Sequence, residues 1–206
     1  MTQRSVPSAA DDTERRRLHR EAPGRREVVK IHTLGHGTLA QEKFVELAAA
    51  AHLVEIVDIR SFPGSRRNPQ FGTDAMAQWL PDADIDYSWM RELGGRRKKV
   101  AGSKHVALRH PSFQAYADHM ESEAFLDGVD VLLARGDDRA VMCSETVWWR
   151  CHRRLLADHL VLIRQVEVVH LMHDGRLTPH RPTDGVRLDG DRVTYDVGAT
   201  PPMLAD

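Results

Sequence analysis

The chain has almost no cysteine, two in 206 residues, and that excludes a disulfide-stapled scaffold. Long apolar runs are missing as well. No stretch approaches the ~20 residues that span a bilayer. The N-terminus has no apolar core of the kind a secretory leader carries. The expectation is a cytoplasmic protein with reduced thiols and no membrane partner. Neither a Gly-x-x-x-x-Gly-Lys-Ser/Thr loop nor a Gly-x-Gly-x-x-Gly turn is present, so no nucleotide-binding signature is legible.

What remains is an ordinary globular composition, 41% apolar and 29% charged. The length suits one domain with extensions. A net charge of -1 hides an internal imbalance: Arg60 to Arg109 holds ten Lys/Arg against five Asp/Glu, and the chain after it ten against sixteen. A basic middle suits an anionic ligand or serves as solvated surface. Residues 1–27, with seven arginines, five acids and few large apolar residues, predict a disordered basic arm.

Apolar periodicity organises the rest. Val28–Leu34 and Leu53–Ile59 predict strands flanking a helix with Phe44, Leu47, Ala48 and Ala51 on one face. Thr38 and Gln41 have the spacing of a capping box for that helix. Short helical stripes follow over Thr73–Leu80, Phe113–Met120 and Phe125–Leu133, with an edge strand at Ile85–Met90. Arg139–Cys143 and Glu167–Leu171 predict further strands, with a helix from about Arg150 to Ile163 between them. Asp189-Gly190 between alternating runs predicts a C-terminal hairpin. Strand–helix–strand units of this kind imply an α/β fold, a three-layer sandwich with a mostly parallel sheet. The domain spans 28–173 and a C-terminal extension spans 174–206.

Both cysteines fall in one run, Val141 to Arg153, where a buried strand gives way to a helix. Open α/β sheets bind ligands at such strand ends. His36, Asp58, Arg60, Cys143 and Glu145 all follow or end predicted strands. Cys143 reads equally as a nucleophile activated by a helix terminus and as a small buried hydrophobe. Glu145 offers proton transfer, and His152 offers a base for Cys143 or a structural hydrogen bond. Arg60, Ser65 and Arg66 surround a Pro-Gly turn, where guanidinium forks suit an anion and Asp58 is a competing partner. Gly94, Gly95 and Arg153 complete the expected ligand contacts. Cys151 and His152 are adjacent, so on a helix they point about 100° apart. That splay, and the lack of a Cys-x-x-Cys spacing, argue against a metal although His36 and the cysteines carry zinc-type donors. Six residues separate Cys143 from Arg150, one too many for a phosphatase or rhodanese loop.

Five ordered motifs carry a resemblance: Thr33-Leu34-Gly35-His36; Val57-Asp58-Ile59-Arg60 with Pro63, Ser65-Arg66, Pro69 and Phe71; Leu93-Gly94-Gly95; Met142-Cys143-Ser144-Glu145; and Cys151-His152-Arg153. Over residues 28–173 the chain resembles the domain of unknown function 488 family, which implies a compact α/β fold and no named substrate or cofactor. Two expectations of function stand. One is an enzyme acting on a small anionic or nucleotide-like substrate through a Cys/Glu/His/Arg pocket. The other is a non-catalytic module that binds a ligand or nucleic acid in the same pocket.

Overall fold

Strands buried on both faces build two cores, one on each side of a single sheet. The computed structural model describes residues 29–64, 66–136 and 138–198. The predicted arm at 1–27 and Ser65 lie outside the described residues. Six strands, β1 (Lys30–Gly35), β2 (Glu55–Asp58), β3 (Asp86–Trp89), β4 (Arg139–Cys143), β5 (Glu167–Leu171) and β6 (Leu177–Pro179), are ordered β3-β2-β4-β1-β5-β6. The first five run parallel, and β6 is antiparallel to β5.

Helices α1 (Gln41–Ala50) and α2 (Thr73–Trp79) cover one face. Their Phe44, Leu47, Met76 and Trp79 pack on Leu34, Ile56 and Met142. Helices α3 (Pro111–His119), α4 (Glu123–Ala134) and α5 (Arg153–Leu162) cover the other. Tyr116, Phe125, Val129 and Leu155 pack there on Ile31, Val57, Val141 and Val168. Ile56 and Val57, like Val141 and Met142, thus face opposite layers, as the two-residue period of a strand requires. The hairpin β7 (Val186–Asp189) and β8 (Arg192–Tyr195) adds Val193 and Tyr195 to the second core. This is the expected three-layer α/β sandwich.

Two local expectations are corrected, and one strand is added. Thr38 does not cap α1. The chain first makes a turn in which Leu39 N–H donates to His36 O, and the helix starts at Gln41 without a side-chain cap. The last long helix begins at Arg153 rather than Arg150, because Trp148–Arg150 forms a separate 3-10 turn and Cys151 is extended. Strand β6 was not anticipated: it is three residues long and ends in Pro179, which only a sheet edge tolerates. Among the described residues no helix is long and apolar enough to cross a membrane.

Candidate functional site

Strands β2, β4 and β1 are neighbours, and their carboxyl ends share one edge. Pairing continues past the strands: His36 N–H donates to Cys143 O and Gly37 N–H to Ser144 O, each at 3.0 Å. Ile59 N–H donates to Met142 O at the same distance. His36, Arg60 and Cys143 are therefore set side by side at the floor of a cleft of about 710 Å³. After Cys143 the chain loops out through Glu145, makes the 3-10 turn, and returns Cys151 and His152 to the same floor. Gly35 permits this return. A Cβ there would stand 2.8 Å from the Glu145 carbonyl carbon and 2.6 Å from Arg153 Nη2.

The centre of the floor is a cluster of two thiols and an imidazole. Cys143 Sγ, Cys151 Sγ and one nitrogen of His152 lie within 4.8 Å of one another. The predicted splay of Cys151 and His152 does not occur, because neither residue lies within the body of the helix: Cys151 is extended and His152 is the N-cap of α5. His152 Nε2 donates to Ile59 O at 3.1 Å, so in the neutral ring Nδ1 is bare. That nitrogen faces Cys151 Sγ at 3.5 Å and Cys143 Sγ at 3.8 Å. The ring is held from both sides. Tyr116 meets it edge-on, with centroids 5.1 Å apart. Gly95 packs its backbone on the ring, where a Cβ would fall 2.5 Å from Cγ.

The thiols are not equivalent. The hydrogen bond with Cys151, together with burial, pushes Cys143 up to about 12. Burial also pushes Cys151 up, but the Cys143 hydrogen bond and the adjacent Arg153 outweigh it and bring Cys151 down to about 6. The shared hydrogen bond and Arg153 thus favour negative charge on Cys151 over Cys143. Cys151 stands at the amino end of α5, where main-chain N–H groups favour negative charge.

His36 and Arg60 form a committed wall. Arg60 Nη2 pairs with Asp58 Oδ2 at 2.5 Å and donates to Phe71 O at 2.7 Å. Its Nε donates to Asp58 Oδ1 at 2.9 Å, and Nη1 donates to His36 Nε2 at 3.1 Å. His36 Nδ1 donates to Gly37 O at 2.9 Å. Burial and the Arg60 charge bring His36 down to about 4, so the ring is neutral at pH 7. Arg60 is held by Asp58 rather than presented as a free fork.

The other expected residues divide. Glu145 is exposed and lines the cleft, as does Gly95. Gly94 does not line it; it sits against Ser61, whose Oγ would be 2.6 Å from a Cβ. Arg66 is exposed and also stands outside the lining, because its loop turns Gly64 and Asn68 toward the cleft instead. Arg153 lies behind the cluster, 1% exposed, with Nη2 donating to the Glu145 and Thr146 carbonyls.

The model of the family described as Domain of unknown function DUF488 matches residues 40–160. The chain belongs to the DUF488 family. No curated protein and no solved structure matches it. The DUF488 match includes Gly95, Cys143, Glu145, Cys151 and His152, and it begins after His36.

Two features of this DUF488 chain go beyond the ligand contacts expected from sequence. The first is the rim. Arg96, Arg97 and Arg150 line the cleft, and Phe62, 61% exposed, carries the Arg91 and Arg96 guanidinium groups over its ring at 5.6 and 5.8 Å. The basic run Arg96-Arg97-Lys98-Lys99 was the available signal. The second is a hydrogen-bonded chain behind Arg153. Arg153 Nη1 donates to Thr33 Oγ1 at 3.4 Å, and Thr33 donates to His170 Nδ1 at 2.7 Å. His170 Nε2 donates to His180 Nδ1 at 3.0 Å, and His180 Nε2 donates to Asp158 Oδ1 at 2.9 Å. Burial, with His180 and Arg153 beside it, brings His170 down to about 2, which leaves Nδ1 free to accept. Trp148 stacks on His170 at 4.0 Å, so this ring belongs to the interior and not to a ligand. No sequence spacing announces a chain whose members are up to 137 residues apart.

Proposed function

We propose that the protein is an enzyme acting on a small anionic or nucleotide-like substrate in this cleft. The observation that carries it is a convergence. The thiol–imidazole cluster and the exposed carboxylate of Glu145 open onto one cleft whose rim is guanidinium. Cations at a concave rim draw an anion in and fix its orientation. The exposed Phe62 ring, already under two guanidinium groups, is a stacking surface suited to a base. Glu145 stands at the mouth for proton transfer, and the Cys143–Cys151–His152 cluster is the reactive centre.

The test is a thermal-shift screen of phosphates, nucleotides and carboxylates against wild type, Arg150→Ala and Arg96→Ala. At least one anion should raise Tm, and either substitution should remove most of that shift. The bound compound is then incubated with wild type and Glu145→Gln and followed by mass spectrometry. Conversion by wild type alone, with binding kept in Glu145→Gln, is the expected result. Binding without conversion by either protein would turn the cleft into a recognition site, and no stabilising anion at all would sink the proposal.

A further inference from the structure

We propose that Cys143 Sγ, Cys151 Sγ and His152 Nδ1 are three ligands of a zinc-class divalent metal ion whose fourth position opens into the cleft. The spacing fits. Zinc–sulfur and zinc–nitrogen bonds of about 2.3 and 2.0 Å at a tetrahedral angle put sulfur and nitrogen about 3.5 Å apart. His152 Nδ1 is 3.5 Å from Cys151 Sγ and 3.8 Å from Cys143 Sγ, and all three donor atoms fall within 4.8 Å. A small inward movement of Cys143 completes the triangle.

The surroundings are those of a metal's outer shell. A ligating histidine donates its other ring N–H to a carbonyl or carboxylate, which fixes the tautomer and aims the free nitrogen. Here Nε2 does this to Ile59 O. Gly95 and Tyr116 keep the ring from turning away. The side-chain hydrogen bonds of Arg153 reach Thr33 and two backbone carbonyls rather than a carboxylate, although it is 1% exposed. A buried guanidinium needs negative charge nearby, and coordinating thiolates provide it.

The ligand set also defines the kind of site. Both nitrogens of His36 are engaged, with Arg60 and Gly37, so His36 is not the fourth ligand. Two thiolates and an imidazole with one position left for water or substrate make an open zinc site rather than a closed structural one. Each cysteine sheds its proton on binding. The metal stands independently of the catalytic proposal, since it would be found whether or not the cleft turns over a substrate.

The experiment uses the full-length chain, reduced and stripped with a chelator. One equivalent of Zn²⁺ should protect both cysteines from a thiol reagent, slowing labelling about tenfold or more. Co²⁺ in place of zinc should give thiolate-to-cobalt charge-transfer absorption, lost in Cys151→Ser. Should that variant not fold, the wild-type cobalt spectrum decides alone. Labelling unchanged by excess zinc, with a cobalt spectrum of the aqueous ion, overturns the site. An anion that stabilises the metal-free protein in that case leaves the cleft proposal standing while the metal falls.

Discussion

Arg153 divides two regions built from the same kinds of residue. Behind it, Thr33, His170, His180 and Asp158 form a closed chain in which each donor finds an acceptor, ending on a carboxylate that also takes Tyr195 Oη and Thr183 N–H, both at 2.9 Å. In front of it, Cys143, Cys151 and His152 turn their donor atoms toward one another and toward an open cleft. Histidine is structural in the first region and available in the second. The difference lies in what the second ring nitrogen meets: another saturated group, or a pair of sulfurs.

If that contrast is right, the two regions break differently. The largest effect is expected behind Arg153. Asp158→Ala strands three donors in a buried site and should cost about 3–5 kcal/mol, read from urea denaturation. A loss below about 1 kcal/mol would mean that the chain is not closed.

Acid should act on the buried histidines as well. His36 and His159 are brought down to about 4 and His170 to about 2, chiefly by burial. An unfolded histidine takes up its proton near 6.5, so between that value and about 4 the unfolded chain binds more protons. Stability is therefore full above pH ~6.5 and falls progressively as the pH drops toward 4. Denaturation midpoints that stay flat from pH 7 to 5 would contradict the neutral, buried assignment.

In front of Arg153, Gly95→Ala drives a Cβ into the His152 ring and should cost about 1–3 kcal/mol, while Gly64→Ala, with open space around it, should stay within about 0.5 kcal/mol. Equal effects at the two glycines would mean that the loop does not support the imidazole. The smallest effect is expected at Arg66. It is exposed and outside the cleft lining, so Arg66→Lys should leave both Tm and any anion-induced shift unchanged. A lost shift would return this loop to the anion site.

Much of the frame was legible in the chain. β4 and β5 were read to the residue, because covered parallel strands are dense apolar runs bounded by turn signals. The position of Cys143 and Glu145 followed from strand direction alone. The meeting of Cys151 with Cys143 was not legible. A periodic apolar stripe predicts a helix but not that its first turn is 3-10 and its last pre-helical residue extended, and those two residues of backbone decide where the sulfur points. Arg60 and Arg66 looked alike in sequence, whereas Asp58 two residues earlier engages one and the turn at Gly64 sends the other outward. β6 lacked the length to give a signal.

Asp158 has one more consequence. The family match stops at residue 160, yet the groups that satisfy this carboxylate, Tyr195, His180 and Thr183, all come after it. So does β5, which flanks β1 in the middle of the sheet. The stretch that marks descent is therefore shorter than the stretch that folds. A relative that kept residues equivalent to 40–160 but exchanged its tail would have to find other donors for the same buried acid, or lose it, and the tail and Asp158 should change together.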